Sequence, residues 1–195
     1  MYVYKPDASL LISQICYTGT SYGPGCRLAL NNVAAGNYSV VVTPISGATG
    51  SFNIQLNSDL TGTLALNTAL PVSLKSGQNA RLSFTGSVGQ SAALQFAQVT
   101  TNPTARTLYA LVYRPTDTVA VNSSNNFIGY WTYVAIPNTG ATLTLPALPA
   151  AGTYQVVIQA LYQETSNVSV TLESGTALVI NAASARPRES PPPPA

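Results

Sequence analysis

The stretch AAGTYQVVI at residues 150–158 returns in this chain as AAGNYSVVV at residues 34–42. Each copy has a glycine-bearing turn and then a strand pattern in which the tyrosine and alternate Val or Ile residues share one face. Two copies of one strand predict a duplicated structural unit. The duplication specifies a fold and a modular organisation, but it names no reaction and no ligand.

Composition favours an all-β chain. Charged residues make up only 7% of the 195 residues, against the roughly 25% usual in globular domains, whereas hydrophobic residues make up 46%. A surface built from Ser, Thr, Asn and Gln lacks the charged faces of surface helices. The net charge of +2 with scattered basic residues excludes a nucleic-acid surface. Because no apolar run approaches the ~20 residues that cross a bilayer, we expect no membrane insertion.

The first segment, residues 1–57, shows period-two alternation that is typical of half-buried antiparallel strands. We predict strands at 2–4, 9–16, 26–30, 37–42 and 52–56. In the last of these, Phe52, Ile54 and Leu56 are expected to point inward.

The second segment, residues 58–175, opens with additional strand patterns between 61 and 96 and then retraces the first. VYRP at 112–115 matches VYKP at 3–6, with an offset of 113 − 4 = 109, and AGTY at 151–154 matches AGNY at 35–38, with an offset of 154 − 38 = 116. The difference, 116 − 109 = 7, predicts an insertion in the hairpin between the two motifs, where loops tolerate change.

A tandem array follows from these matches. We interpret residues 1–57 as the C-terminal half of a β-sandwich repeat, 58–175 as a complete repeat, 176–183 as the first strand of a further repeat, and 184–195 as a disordered Pro-rich tail. The half-repeat is expected to expose an unpaired edge and an uncovered apolar face. Neighbouring repeat modules, or copies of the chain that donate a strand, are its expected partners.

Three motifs carry a family resemblance: GQNARLSFTG at 77–86, VYRP at 112–115 and LPAAGTYQVVI at 148–158. They resemble the bacterial pre-peptidase C-terminal domain and related β-sandwich repeats of large secreted or surface proteins, including RHS-type ones. The resemblance implies a jelly-roll-like sandwich, exported and appended to something else. Many members carry acidic residues before the Leu-Tyr strand, a calcium site; ARTLY at 105–109 has none, so we predict no metal site.

Catalytic chemistry is mostly excluded. The absence of histidine removes Ser-His-Asp and Cys-His arrangements and His-ligated zinc. We predict that the chain is not an enzyme, has no cofactor and has no catalytic residues. The acidic residues are dispersed over turns and ends, where we interpret them as solvated: Asp7, Asp59, Asp117, Glu164, Glu173 and Glu189.

Cys16 and Cys26 border one loop of the first segment. In an exported protein, an even pair at this spacing predicts a disulfide that closes the loop, and two buried free thiols are the alternative. The first residues, MYVYKP, do not form a signal peptide, so we expect any targeting sequence upstream and an extracellular or cell-surface location.

The densest aromatic stretch, FIGYWTYV at 127–134, falls within the inserted hairpin. On a regular strand, Phe127, Trp131 and Tyr133 share one face and Tyr130 lies on the other. An exposed face could stack on sugar rings, which makes these four residues ligand-binding candidates. The alternative is that one face completes the core and the other packs on a neighbouring module.

Two functions of different class remain. One is a non-catalytic structural or adhesive spacer module of a larger secreted or cell-surface bacterial protein. The other is a carbohydrate-binding or propeptide-like accessory module attached to a secreted hydrolase. They differ in whether a ligand exists, and polysaccharide is the ligand expected for the second function.

Overall fold

The structure of the chain is a computed structural model that describes residues 1–17, 26–45, 47, 49–119, 122–123, 129–160 and 163–175. These described residues contain no α-helix. Their strands are β1 (Tyr2–Tyr4), β2 (Leu10–Ser13), β3 (Leu28–Ala29), β4 (Ser39–Val41), β5 (Leu60–Thr63), β6 (Ala69–Leu74), β7 (Ala80–Gly86), β8 (Ala92–Asn102), β9 (Leu108–Tyr113), β10 (Asn122–Ser123), β11 (Thr132–Ile136), β12 (Ala141–Leu145), β13 (Gly152–Ala160) and β14 (Thr165–Ser174).

The second segment folds into two facing sheets. One has the strand order β11-β9-β13-β7-β5 and the other β12-β8-β14-β6, with antiparallel pairs except for the parallel pair β5–β7. Successive strands from β6 to β9, and again from β11 to β14, alternate between the sheets. With β5 set aside, this is the eight-stranded jelly-roll arrangement. The predicted all-β, jelly-roll-like sandwich is therefore confirmed for this segment.

The core lies between these sheets, on the faces that the alternation marks as apolar. Leu82 and Phe84 of β7 are buried opposite Val156 and Tyr154 of β13. The rings of Phe84 and Tyr154 stack with centroids 5.1 Å apart. Burying side chains of this size contributes about 1.5 to 3 kcal/mol each, which is why period two fixes the register.

The first segment forms a smaller sheet of order β2-β1-β4. Its strand β1 pairs with β4 so that Val3 lies opposite Val40. In the sandwich, β9 pairs with β13 so that Val112 lies opposite Val156. The matching residues differ by 112 − 3 = 109 and 156 − 40 = 116, the same offsets that relate the motifs in the sequence. Strands β1 and β4 therefore have the same pairing and register as β9 and β13, and β2 lies beside β1 as β11 lies beside β9.

A tyrosine hydrogen bond recurs at the start of both repeated strands. Tyr38 Oη donates to the carbonyl oxygen of Ala34 at 2.8 Å. Tyr154 Oη donates to the carbonyl oxygen of Ala150, also at 2.8 Å. This contact, like the tyrosine corner of other β-sandwiches, fixes the turn that leads into the strand.

The expected strand at 52–56 is wrong. Residues 49–59 are not in a strand, and Phe52, Ile54 and Leu56 are 63%, 57% and 86% exposed rather than inward. The matching strand of the sandwich, β14, is held between β6 and β8. Within the described first segment no strand takes either position, so the alternation at 52–56 has nothing to pair with.

The prediction of a single insertion between the motifs is also wrong. Two loops differ in length between the first segment and the sandwich, and one is longer in the sandwich whereas the other is shorter. Residues 5–9 connect β1 to β2, whereas 114–131 connect β9 to β11 and include β10. Conversely, 14–27 follow β2, whereas only 137–140 follow β11. The long loop of the sandwich contacts the first segment, since β10 pairs with β3.

Exposed large apolar side chains are concentrated in the first segment. Those outside it, among the described residues, are Leu66, Val88 and Tyr133. Those inside it are Tyr2, Leu10, Ile15, Tyr17, Val33, Val40, Val41, Ile45, Phe52, Ile54 and Leu56.

Candidate functional site

The aromatic stretch does not have the predicted alternation. Gly129 has a φ of 73°, in the left-handed region, and the regular strand β11 begins only at Thr132. Trp131 packs on the sandwich core, with its ring 6.0 Å from that of Tyr154. Trp131 therefore lies on the core side rather than sharing a face with Tyr133, and the predicted grouping is wrong.

Tyr130 and Tyr133 form an edge-to-face pair on the opposite side of the sheet, with ring centroids 5.2 Å apart. Tyr130 packs against a second apolar cluster, formed by Leu111, Tyr113, Val119 and Val157 on the outer face of the sheet. Tyr133 is 48% exposed. The fourth candidate, Phe127, lies outside the described residues. Of the aromatic candidates in the described chain, Tyr133 is the one whose ring is accessible to a ligand.

Cys16 and Cys26 are bonded to each other, with their Cα atoms 4.9 Å apart. The bridge closes the longer loop that is particular to the first segment. In the chain-entropy estimate, a loop of this size is stabilised by about 3 kcal/mol relative to the reduced chain.

Reduction of the purified chain under denaturing conditions is expected to raise its mass by about 2 daltons, because breaking one bridge adds two hydrogens. Intact-mass spectrometry before and after reduction measures the change. A Cys16→Ser variant is the control, since it has no bridge to break. An unchanged mass for the parent chain would contradict the bridge.

An arginine network, which no sequence pattern predicts, joins the two segments. The Arg81 guanidinium donates to Asp59 Oδ2 at 3.0 Å, to Asn31 Oδ1 at 2.7 Å and to Gln155 Oε1 at 3.1 Å. Asn31 belongs to the first segment, whereas Arg81 and Gln155 lie on β7 and β13. Neither alternation nor a motif reveals contacts between residues 50 positions apart.

A second arginine crosses the same boundary. Arg27 is buried and donates a hydrogen bond to Asn79 Oδ1. Burial lowers the pKa of Arg27 to about 10, while Asp59 and Glu164 oppose that shift by favouring the charged form. The guanidinium therefore stays charged at neutral pH and ties residues 26–32 to the sandwich.

A shallow polar groove of about 350 Å³ lies beside this network, on the outer face of β5, β7 and β13. It is lined by Thr61, Gly62, Thr63, Arg81, Leu82, Ser83, Thr153 and Gln155. Its hydroxyl groups can exchange hydrogen bonds with a polar ligand. The Arg81 guanidinium is already engaged by the network, so the groove offers no free charge of its own.

The carboxylates of Asp7, Asp59 and Asp117 are occupied by local contacts or by the arginine network, and Glu164 is buried rather than solvated as predicted. Asp7 accepts hydrogen bonds from Ser9, and Asp117 forms a salt bridge with Arg114 at 2.9 Å. The hydrogen bonds from Arg114 lower the pKa of Asp117. Among the described residues no three His, Cys, Asp or Glu side chains group as metal ligands would.

Within the described ranges, no segment forms a helix of the length and apolarity needed to cross a bilayer.

The chain is similar to solved structures that include two bacterial proteins. No family model matches the chain, and no curated protein matches its sequence. The pre-peptidase C-terminal domain of a collagenase from Bacillus anthracis is similar at 11% identity and a TM-score of 0.43, over 60% of this chain and 99% of that one. PliG, a periplasmic inhibitor of g-type lysozyme from Aeromonas hydrophila, is similar at 13% identity and a TM-score of 0.36, over 59% and 99%. The domain type that the sequence resembles is thus among the similar solved structures; the fold class itself rests on the strand pairing above.

Proposed function

We propose that the chain is a non-catalytic structural or adhesive spacer module of a larger secreted or cell-surface protein. The observation that carries the proposal is the shared register: β1–β4 and β9–β13 pair residue for residue at the offsets of the sequence repeat. Repeats of one sandwich, each in contact with the next, are the architecture of spacers and stalks. The proposed boundaries are 1–57 and 58–175, with 176–183 and 184–195 outside the described residues.

The interface between the two segments supports a load-bearing role. It combines a strand pair, β3–β10, with hydrogen bonds from the buried Arg27 and from Arg81. Asn32 Nδ2 adds a hydrogen bond of 2.9 Å to the carbonyl oxygen of Val119. The Cys16–Cys26 bridge fits an oxidising compartment, which supports the proposed extracellular or cell-surface location.

A second candidate is carbohydrate binding, which the exposed Tyr133 ring beside Tyr130 favours. A flat aromatic ring on an outer sheet face offers an apolar platform to the faces of sugar rings. A single accessible ring gives a small contact area, so we place this function second.

Affinity chromatography on a panel of insoluble polysaccharides, with a glycan array, separates the two candidates. For a spacer we expect the parent chain to elute in the void volume. If the chain is retained, carbohydrate binding replaces the spacer function. Tyr133→Ala is then expected to lower the affinity at least about tenfold, which corresponds to a loss of about 1.4 kcal/mol of binding free energy. Val88→Ala removes an exposed apolar side chain elsewhere and is the matched control.

A further inference from the structure

We propose that the free edge of β4 is a docking site for one antiparallel β-strand from another module of this type, with the alternating pattern Ala-x-Leu-x-Phe-x-Gly that β7 carries. The inference rests on the proposed modular role and names the partner that the first segment takes.

The complete sandwich shows what occupies this position. There β13 has two neighbours, β9 on one edge and β7 on the other. Strand β7 runs antiparallel to β13, with Phe84 opposite Tyr154 and Leu82 opposite Val156. These four side chains are no more than 1% exposed.

The first segment has the same strand with one neighbour missing. Strand β4 pairs with β1 in the register of β13 with β9, but the described chain places nothing on its other edge. Val40 is 45% exposed, whereas its counterpart Val156 is fully buried. The open edge of β4 is therefore the edge that β7 covers in the sandwich.

The turn before β4 is built like the turn before β13. At both starts a glycine packs on a proline: a Cβ on Gly36 would lie 2.4 Å from Pro6, and one on Gly152 would lie 3.0 Å from Pro115. With the recurring tyrosine hydrogen bond, this contact holds the first residues of β4 in the conformation that accepts a partner in the sandwich.

The sequence of this edge contains no residue type that blocks the addition of another strand. Natural edge strands are commonly blocked by Lys, by other charges or by Pro. Residues 34–43, AAGNYSVVVT, contain no charged residue and no proline. An unguarded apolar edge is a site for strand addition, in which backbone hydrogen bonds supply affinity and alternate side chains supply specificity.

The sandwich also defines the chemistry of the occupant. Gly86 lies opposite Gly152, so the partner needs a glycine opposite Gly36. Its inward positions, opposite Tyr38, Val40 and Val42, are expected to be apolar, because the matching positions of β7 enter the core of the sandwich. Its outward positions tolerate charge, since Arg81 lies opposite Val157 in the complete pair.

The test uses the full chain and a synthetic peptide of residues 77–87, GQNARLSFTGS, read out by hydrogen exchange of the backbone amides. At saturating peptide we expect exchange in residues 38–42 to slow by at least about tenfold. A peptide with Leu82→Ser and Phe84→Ser is expected to give no protection. Unchanged exchange with the parent peptide would overturn the proposal.

Two chain variants locate the site. Val40→Lys places a charge on the inward face and is expected to abolish peptide protection, while Val41→Lys, on the opposite face, is expected to retain it. Equal protection in both variants would overturn the assignment to this face. A different outcome is protection without peptide that rises with chain concentration and disappears when residues 176–195 are removed. That outcome would assign the edge to a second copy of the chain and overturn the proposal. If polysaccharide retains the chain, the proposed spacer function is wrong, but the hydrogen-exchange results that test the docking site do not change.

Discussion

Replacing Tyr154 with alanine is expected to lower the free energy of unfolding of the sandwich by about 3 to 5 kcal/mol, the usual cost of truncating a fully buried aromatic side chain. Tyr154 is 0% exposed, stacks on Phe84 and lies beside Trp131. The change leaves a cavity between the sheets and removes the hydrogen bond to the carbonyl oxygen of Ala150. Urea denaturation followed by the fluorescence of Trp131, the only tryptophan of the chain, measures the loss.

Tyr38→Ala is the matched control, because Tyr38 occupies the same place in the first segment and makes the same hydrogen bond. Its ring is only half-buried, and no second sheet covers it in the described chain. We expect a loss of about 1 kcal/mol, confined to the first segment. Equal effects of the two substitutions on the Trp131 transition would contradict the difference in packing between the two segments.

Gly140→Ala is the other substitution with a large expected effect, about 3 kcal/mol of destabilisation. Gly140 ends the turn between β11 and β12 with a φ of 85°, and a Cβ there would lie 2.4 Å from the carbonyl oxygen of Phe96. The cost therefore combines left-handed backbone strain with displacement of β8, whose carbonyl is fixed in the sheet. The same Trp131 denaturation experiment measures it.

Gly89→Ala separates the two costs. Gly89 has a similar φ of 77°, but nothing lies within 4 Å of an added Cβ. We expect a loss of only about 1 to 2 kcal/mol, the cost of the left-handed conformation for a non-glycine residue. If Gly89→Ala is as damaging as Gly140→Ala, the close approach to Phe96 is not what requires glycine at 140.

Sequence patterns predicted the fold where each strand finds its partner within the chain. Period two placed Tyr154, Val156 and Ile158 of the repeated strand on one face, and all three are buried in the sandwich. Burial on one face is the force that sets this period, so the pattern and the structure share one cause. The alternation at 52–56 is as regular, but it forms no strand there, because pairing needs neighbours that a local pattern does not supply.

The candidate site was less predictable, because it depends on irregular backbone and on distant contacts. The left-handed Gly129 precedes β11 and puts Trp131 on the core side, a change of face that strict alternation does not anticipate. The hydrogen bonds of Arg81 with Asn31 and Asp59 link residues that are far apart in sequence. The absence of charge and proline at 34–43 could be seen in the sequence, yet the pairing of β7 with β13 at the equivalent edge of the sandwich could not.

The pairing of β1 with β4 has a mechanical consequence. Tyr2 lies opposite Val41, so the N-terminal end of β1 and the C-terminal end of β4 are side by side. Tension that enters at Met1 and leaves beyond Val42 pulls both strands from that same end. Because antiparallel hydrogen bonds lie across the strands, this load opens them in succession like a zipper rather than shearing them together. We therefore expect the β1–β4 pair to separate at a lower force than an antiparallel pair that is loaded in shear.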